Sequence, residues 1–357
     1  CESPEDHRFA IVGKSHHCMV DGLAAVELFS LLLDPTPEPA PCERDAWRAA
    51  PEPGGESLLV RGMRDLLADQ LGLVRWPLRA VTSPVRAARE TAVGAARVSR
   101  ALSHLLRVAP TSVINERQSP QRRLAWARRP LADLRTIKQA FGTTLNDVIL
   151  AAVAGGVRAY LLRRGEDPAA LKVMVPVNVR SPGDVLGNQI SFVFPELPCD
   201  QPDALGRLYR VTEAMGRQKR DQAPEGTRAV IQAAAHAPAT VQQTLSRLIA
   251  SPRTSNLVVS NIPGPSGPLF MLGCALRGAY PVVPLADRHA VSVGMLSVDG
   301  LACFGICADS EALPDVDRLA RDIDDAIGEL LVAARMVAPS SSNRRITRGS
   351  RVRQGSG

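Results

Sequence analysis

Aromatic side chains are scarce in this 357-residue chain: 7 Phe, 3 Trp and 3 Tyr, 4% of the total. With so few, and none interleaved with basic residues, the stacking platforms that single-stranded nucleic acids require are missing. Cysteine is present without a pattern. Cys1, Cys18, Cys42, Cys199, Cys274, Cys303 and Cys307 make an odd number with no framework spacing, which excludes a disulfide scaffold and favours a reducing compartment. Cys303 and Cys307 fall in a β-type run and read as small core residues. No uninterrupted apolar run reaches the roughly 20 residues of a membrane-spanning helix. No secretory leader opens the chain.

What is present is a globular balance, with 45% hydrophobic and 22% charged residues and length enough for two domains. The net charge of +7 favours polyanions or an anionic lipid surface.

The chemistry concentrates near the start. A β-type run, Arg8 to Gly13, leads into Lys14-Ser15-His16-His17-Cys18-Met19-Val20-Asp21-Gly22, and an apolar helical run, Leu23 to Leu33, leads out. Histidine titrates near neutral pH and can take and return a proton. A strand that persisted into the motif would put Phe9, Ile11 and His17 on one face and His16 on the other. Two adjacent histidines then divide the work into one general base and one supporting residue. That divergence also argues against a metal held by His16, His17 and Asp21, since a metal site needs three or four convergent ligands. Asp21 is placed to cap the following helix or to hold an arginine. Gly22 would permit the tight turn between strand and helix.

Residues 8–22, Arg8-Phe9-Ala10-Ile11-Val12 followed by His16-His17-Cys18-Met19-Val20-Asp21-Gly22, resemble the active-site motif of the bacterial wax ester synthase/diacylglycerol acyltransferase family. Further blocks resemble the same family in the same order. They are a proline-rich segment from Pro35 to Pro53, the pair Arg122-Arg123, Asn146-Asp147 at the start of a helical run, Gly187-Asn188 before a strand, and Ser260-Asn261-Ile262-Pro263-Gly264-Pro265. The resemblance spans residues 8 to about 335. It implies an α/β (α+β) fold of two chloramphenicol-acetyltransferase-like subdomains, with mixed sheets and a tunnel between them. It also implies that the first subdomain is incomplete here, because the family carries a sizeable stretch before the motif.

The activity so implied is transfer of a fatty acyl group from acyl-CoA, as co-substrate, to diacylglycerol or a long-chain alcohol. His17 would be the general base, His16 its support and Asp21 a holder of geometry. Gly22, Asn146, Asp147 and Asn188 would line the substrates. The resemblance implies no metal and no cofactor. It implies a peripheral location at the inner face of the plasma membrane or on lipid bodies, and the basic balance suits both that surface and the phosphates of CoA. Two rivals remain: a superfamily relative that loads polyketide-type acyl chains onto diols, and a non-catalytic lipid-surface protein.

The chain divides into 1–33 with the motif, a linker over 34–56, a basic helical segment over 57–110, a second unit over 111–338 and a polar basic tail over 339–357. The arginine-rich 57–110 segment reads as an amphipathic surface helix, for lipid or for solvent. Residues 110–130 read as a loop and 203–249 as two helices. Thr144 with Asp147 gives a capping-box start to an apolar helix. Asp299-Gly300 marks a tight hairpin between strands at Ala290–Val298 and Leu301–Ala308. Family members tend to have Gly and Asn where this chain has Arg288 and Val291.

Overall fold

Val291–Val298 and Leu301–Asp309 are apolar or small at almost every position, and they form the long hairpin at the heart of the protein. Asp299 and Gly300, both at positive φ (44° and 74°), make the mirror-image turn that matches strand twist. The computed structural model describes residues 2–3, 8–16, 22–38, 48–49, 51–52, 54–64, 84–178, 190–235, 239–265 and 267–337.

The elements are β1 (Glu2–Ser3), β2 (Arg8–Phe9), α1 (Gly22–Ser30), α2 (55–64), α3 (Pro84–Leu106), β3 (Arg122–Pro130), α4 (Leu131–Phe141) and α5 (Leu145–Arg163). They continue with β4 (Leu171–Asn178), β5 (Ile190–Val193), β6 (Glu196–Leu197), α6 (Ala204–Arg220), α7 (Ala223–Ala235) and α8 (Ala239–Ile249). The last are β7 (Leu257–Ile262), β8 (Phe270–Met271), β9 (Cys274–Ala275), β10, which is the 291–298 strand, β11, the 301–309 strand, and α9 (Val316–Val337).

The main sheet runs β3-β11-β10-β7-β4-β5, with β6 also on β4. Its centre is parallel, β4 to β7 to β10, and its flanks are antiparallel. The fold is therefore mixed α/β. One face carries the principal core, where Leu257 and Val259 of β7 meet α4, α5 and α9. Helices α5 and α9 touch through glycine: a Cβ at Gly155 would overlap Ala326, and one at Gly156 would overlap Ile323. On the other face Val258 and Met174 pack with Leu105 of α3, Phe194, and Leu245 and Leu248 of α8. Farther along that face Gly294 and Gly305, direct partners across β10 and β11, form a bare pad on which Pro281 lies.

Three readings of the sequence change. Residues 122–130 are strand rather than loop, because the whole length of β11 offers them a ladder. Their paired arginines belong to that edge: Arg122 reaches Asp309 and Arg123 reaches Asp317. Residues 204–249 make three helices, since Gln222 adopts φ 52° and turns the chain between α6 and α7. The strand at Arg8 stops at Phe9, so residues 10–16 approach the motif outside any strand. The alternation drawn for His16 and His17 therefore does not rest on a ladder. Helix α5 is long and apolar enough to cross a membrane, but 72% of its apolar window is buried, which makes it a core helix. The tail from 338 onward lies outside the described residues.

Candidate functional site at the carboxyl edge of the sheet

Chain direction gathers the sequence blocks at one edge. Helix α5 runs back along the sheet, antiparallel to β4. Arg158, in its C-terminal half, donates to the carbonyls of Cys199 (2.9 Å) and Asp200 (3.0 Å). Those carbonyls follow Leu197, which pairs with Leu171 at the start of β4. The 19 residues of α5 and the 8 of β4 have similar lengths, about 28 Å and about 26 Å. The N-terminus of α5, with Asn146, therefore stands at the end where β4 and β7 terminate. Open α/β sheets bind ligands beyond that carboxyl end.

The last residue of the histidine motif lies at the same edge. This residue, Gly22, opens α1 and lies against Ile262, the last residue of β7; a Cβ at Gly22 would sit 3.2 Å from Ile262 Cδ1. Two blocks separated by more than two hundred residues are thus neighbours. Gly22 was expected to serve a turn, yet its φ is not in the left-handed region; its lack of a side chain answers to the close approach of Ile262. Gly264 follows the same logic. A Cβ there would collide with the Ser297 carbonyl, while Gly264 N donates to Ser297 Oγ at 3.1 Å.

Polar side chains at this edge are uncommitted. Asn146, Ser260 and Asn261 are all half-buried, and none makes a side-chain hydrogen bond among the described residues. Asp147 is buried and closes the helix end: its carboxylate accepts from Thr144 N (2.9 Å), and Thr144 Oγ1 accepts from Asp147 N (3.2 Å). This is the capping box read from the sequence. His16 is exposed, in the stretch that follows β2. His17, Asp21 and Asn188 lie outside the described residues, as does Cys18. The carboxyl edge can therefore offer neutral amide and hydroxyl donors to a developing oxyanion.

Elsewhere, buried polar groups are engaged in holding the scaffold, and sequence reasoning did not find them. Lys172 Nζ donates to the carbonyls of His104 (2.7 Å) and Arg107 (2.5 Å), closing the C-terminus of α3. Burial, with Arg107 nearby, lowers its pKa to about 8. A lysine inside an apolar strand was the one available signal. Asp309 is fully buried; burial pushes its carboxyl up, but donors from Ala312, Ser119 and Glu311 outweigh it and hold it below the ordinary value. Burial lowers the pKa of His289, whose Nδ1 faces the Asp287 carbonyl at 2.7 Å and whose Nε2 faces Ser255 Oγ at 3.3 Å. Burial raises the Cys303 and Cys307 thiols, as suits core residues. Among the described residues no His, Cys, Asp and Glu cluster could hold a metal ion.

A mixed α/β scaffold, with Gly22 and uncommitted polar groups at the carboxyl edge of the parallel strands, has the layout of a ligand-binding α/β protein. The profile of the wax ester synthase/diacylglycerol acyltransferase catalytic domain matches residues 2–149, and that of the WS/DGAT C-terminal domain matches residues 186–331. A Mycobacterium tuberculosis protein named "Probable diacyglycerol O-acyltransferase tgs1" is 32% identical over 355 residues, 97% of this chain and 72% of that protein. A second from the same organism, "Probable diacyglycerol O-acyltransferase tgs2", is 31% identical over 340 residues, again 72% of its length. Among solved structures, the wax ester synthase/diacylglycerol acyltransferase from Marinobacter aquaeolei VT8 superposes with a TM-score of 0.58 at 25% identity, over 89% of this chain and 66% of that one. The chain belongs to the wax ester synthase/diacylglycerol acyltransferase family. It spans about two thirds of the length of that solved relative.

Proposed function

We propose that this chain transfers a fatty acyl group from acyl-CoA to diacylglycerol, to a long-chain alcohol, or to both. The observation that carries the reading is the seating of Gly22 against Ile262, at the sheet edge that also carries the uncommitted Ser260 and Asn261 and toward which the N-terminus of α5 with Asn146 runs. In this reading His17 takes the proton of the acceptor hydroxyl. The oxygen attacks the thioester carbonyl carbon, and the carbonyl oxygen becomes an oxyanion. The C–S bond then breaks, and the departing thiolate takes the proton from His17. One C–O bond replaces one C–S bond, with no redox change. A positioned base contributes roughly 10²–10⁴-fold. His16 supports the loop, Asp21 holds its geometry, Asn146 donates to the oxyanion, and Asn188 lines the acyl path.

Lipid acceptors of this kind favour a peripheral protein at the cytoplasmic face of the membrane or on lipid bodies. Helix α2 supports this: Leu58, Leu59, Val60 and Met63 are each more than half exposed, beside Arg61 and Arg64.

The test is product formation from labelled palmitoyl-CoA, with diacylglycerol and hexadecanol offered separately, for the wild type and His17→Ala. The expected result is acyl ester from the wild type and none from a His17→Ala protein of unchanged thermal midpoint. A folded His17→Ala protein with full turnover would sink the assignment of the base.

A further inference from the structure

We infer that Ile262 is a positioning residue for the catalytic loop: its side chain is the stop against which Gly22 seats. The inference rests on the acyl-transfer reading above for its kinetic consequence, and on geometry alone for its structural one. The three atoms nearest a Cβ placed on Gly22 all belong to Ile262: Cδ1 at 3.2 Å, Cγ1 at 3.4 Å and Cγ2 at 4.0 Å. A single side chain therefore sets how closely the end of the histidine motif approaches the sheet.

That side chain is itself held firmly. Ile262 stands opposite Leu296 in the parallel ladder of β7 and β10. Two residues on, Gly264 is locked to β10 by its N–H bond to Ser297 Oγ (3.1 Å) and by a close approach to Leu296 Cδ1. An isoleucine on a fixed strand has a restricted χ1, which fixes Cγ1 and Cγ2, while Cδ1 turns on χ2. The position has no donor, acceptor or charge, so it acts only through Gly22 and the loop before it. A displacement of about 1 Å in a catalytic group can cost roughly 10²-fold in rate.

The contact itself supplies the test, a double-substitution cycle of Gly22→Ala and Ile262→Val. The backbone of Gly22 is outside the left-handed region, so alanine fits its conformation and only the Ile262 contact resists it. Ile262→Val removes Cδ1, the atom at 3.2 Å, and leaves the next contact near 3.4 Å. Turnover of labelled palmitoyl-CoA and hydrogen exchange of the α1 amides are measured for the wild type, both single variants and the pair. The contact asks for a shift of a few tenths of an ångström, so we expect Gly22→Ala to lower kcat by about threefold to tenfold with KM for acyl-CoA little changed, and to speed exchange in α1. The double variant is expected to recover most of both. A double variant no better than Gly22→Ala would overturn the inference, as would Gly22→Ala with wild-type kcat and exchange. If the wild type shows no turnover, the acyl-transfer reading fails, and the exchange data still decide the contact: α1 protection that ignores both substitutions overturns it.

Discussion

Asn115 and Asn256 hold each other across the protein. Asn256 Nδ2 donates to Asn115 Oδ1 at 2.7 Å, and Asn115 Nδ2 donates to the Asn256 carbonyl at 2.9 Å. Asn256 also donates to the Pro110 carbonyl (2.7 Å) and accepts from Lys172 N (2.8 Å). One fully buried amide thus ties the turn after α3 to the starts of β4 and β7, the strands whose far ends carry the site.

Asn256→Ala would leave the Lys172 N–H, the Pro110 carbonyl and Asn115 Oδ1 without this partner. An unsatisfied buried group costs about 1–3 kcal/mol; Lys172 is buried, while Pro110 is exposed and Asn115 half-buried where water can replace the lost partner, so the expected loss is about 1–3 kcal/mol. Urea unfolding should show a lower midpoint at an unchanged slope. A midpoint equal to that of the wild type would contradict this account.

Asn146 and Asp147 are neighbours with separable consequences. Asp147→Ala removes half of the capping box, so stability should fall by about 1 kcal/mol. Asn146→Ala leaves every described hydrogen bond intact, so its thermal midpoint should hold. Under the proposed mechanism kcat should fall by roughly 10²-fold through loss of an oxyanion donor. Parallel melting curves and turnover assays separate the two, and the reverse pattern would exchange their roles.

Lys172 predicts an alkaline signature. Its pKa falls from 10.5 when unfolded to about 8 in the native protein. Between those values the unfolded chain holds a proton that the native chain has lost, so stability rises with pH across that window. Below pH 8 both states are protonated and the cost of the buried charge is fully present. The contribution amounts to about 3 kcal/mol between pH 7 and 11. It should appear as a difference between the wild type and Lys172→Met in unfolding free energy measured at several pH values. A difference that stays flat from pH 7 to 11 would refute it.

Arg288 occupies the left-handed region at φ 55°, and its carbonyl accepts from Asn115 Nδ2 at 3.2 Å. A side chain there costs roughly 1 kcal/mol that glycine does not. Arg288→Gly should therefore raise stability or leave it unchanged, by 0 to about 1 kcal/mol, although glycine elsewhere usually destabilises. The resemblance to a family that tends to have glycine at this position acquires a backbone reason. A loss of more than about 1 kcal/mol in chemical denaturation would remove that reason.

Local chemistry alone made several features legible in the sequence. The Thr144–Asp147 box and the Asp299-Gly300 hairpin are written in adjacent residues, and each formed where its pattern placed it. The histidine motif, the Asn-Asp pair and the Ser-Asn-x-Pro-Gly-Pro block were visible as a family resemblance, because each is contiguous. Their meeting was not visible. Only the parallel order of β4, β7 and β10 brings Ile262 to Gly22 and turns Asn146 toward the same edge, since partners in a ladder need not be near in sequence. The strand at Arg122–Pro130 depended on β11 for its existence, and Asn115, Lys172, Asn256 and Asp309 on partners tens to hundreds of residues away. Periodicity and capping act within a few residues and can be read along the chain. Buried hydrogen bonds and backbone approaches are settled only when distant segments exclude water together.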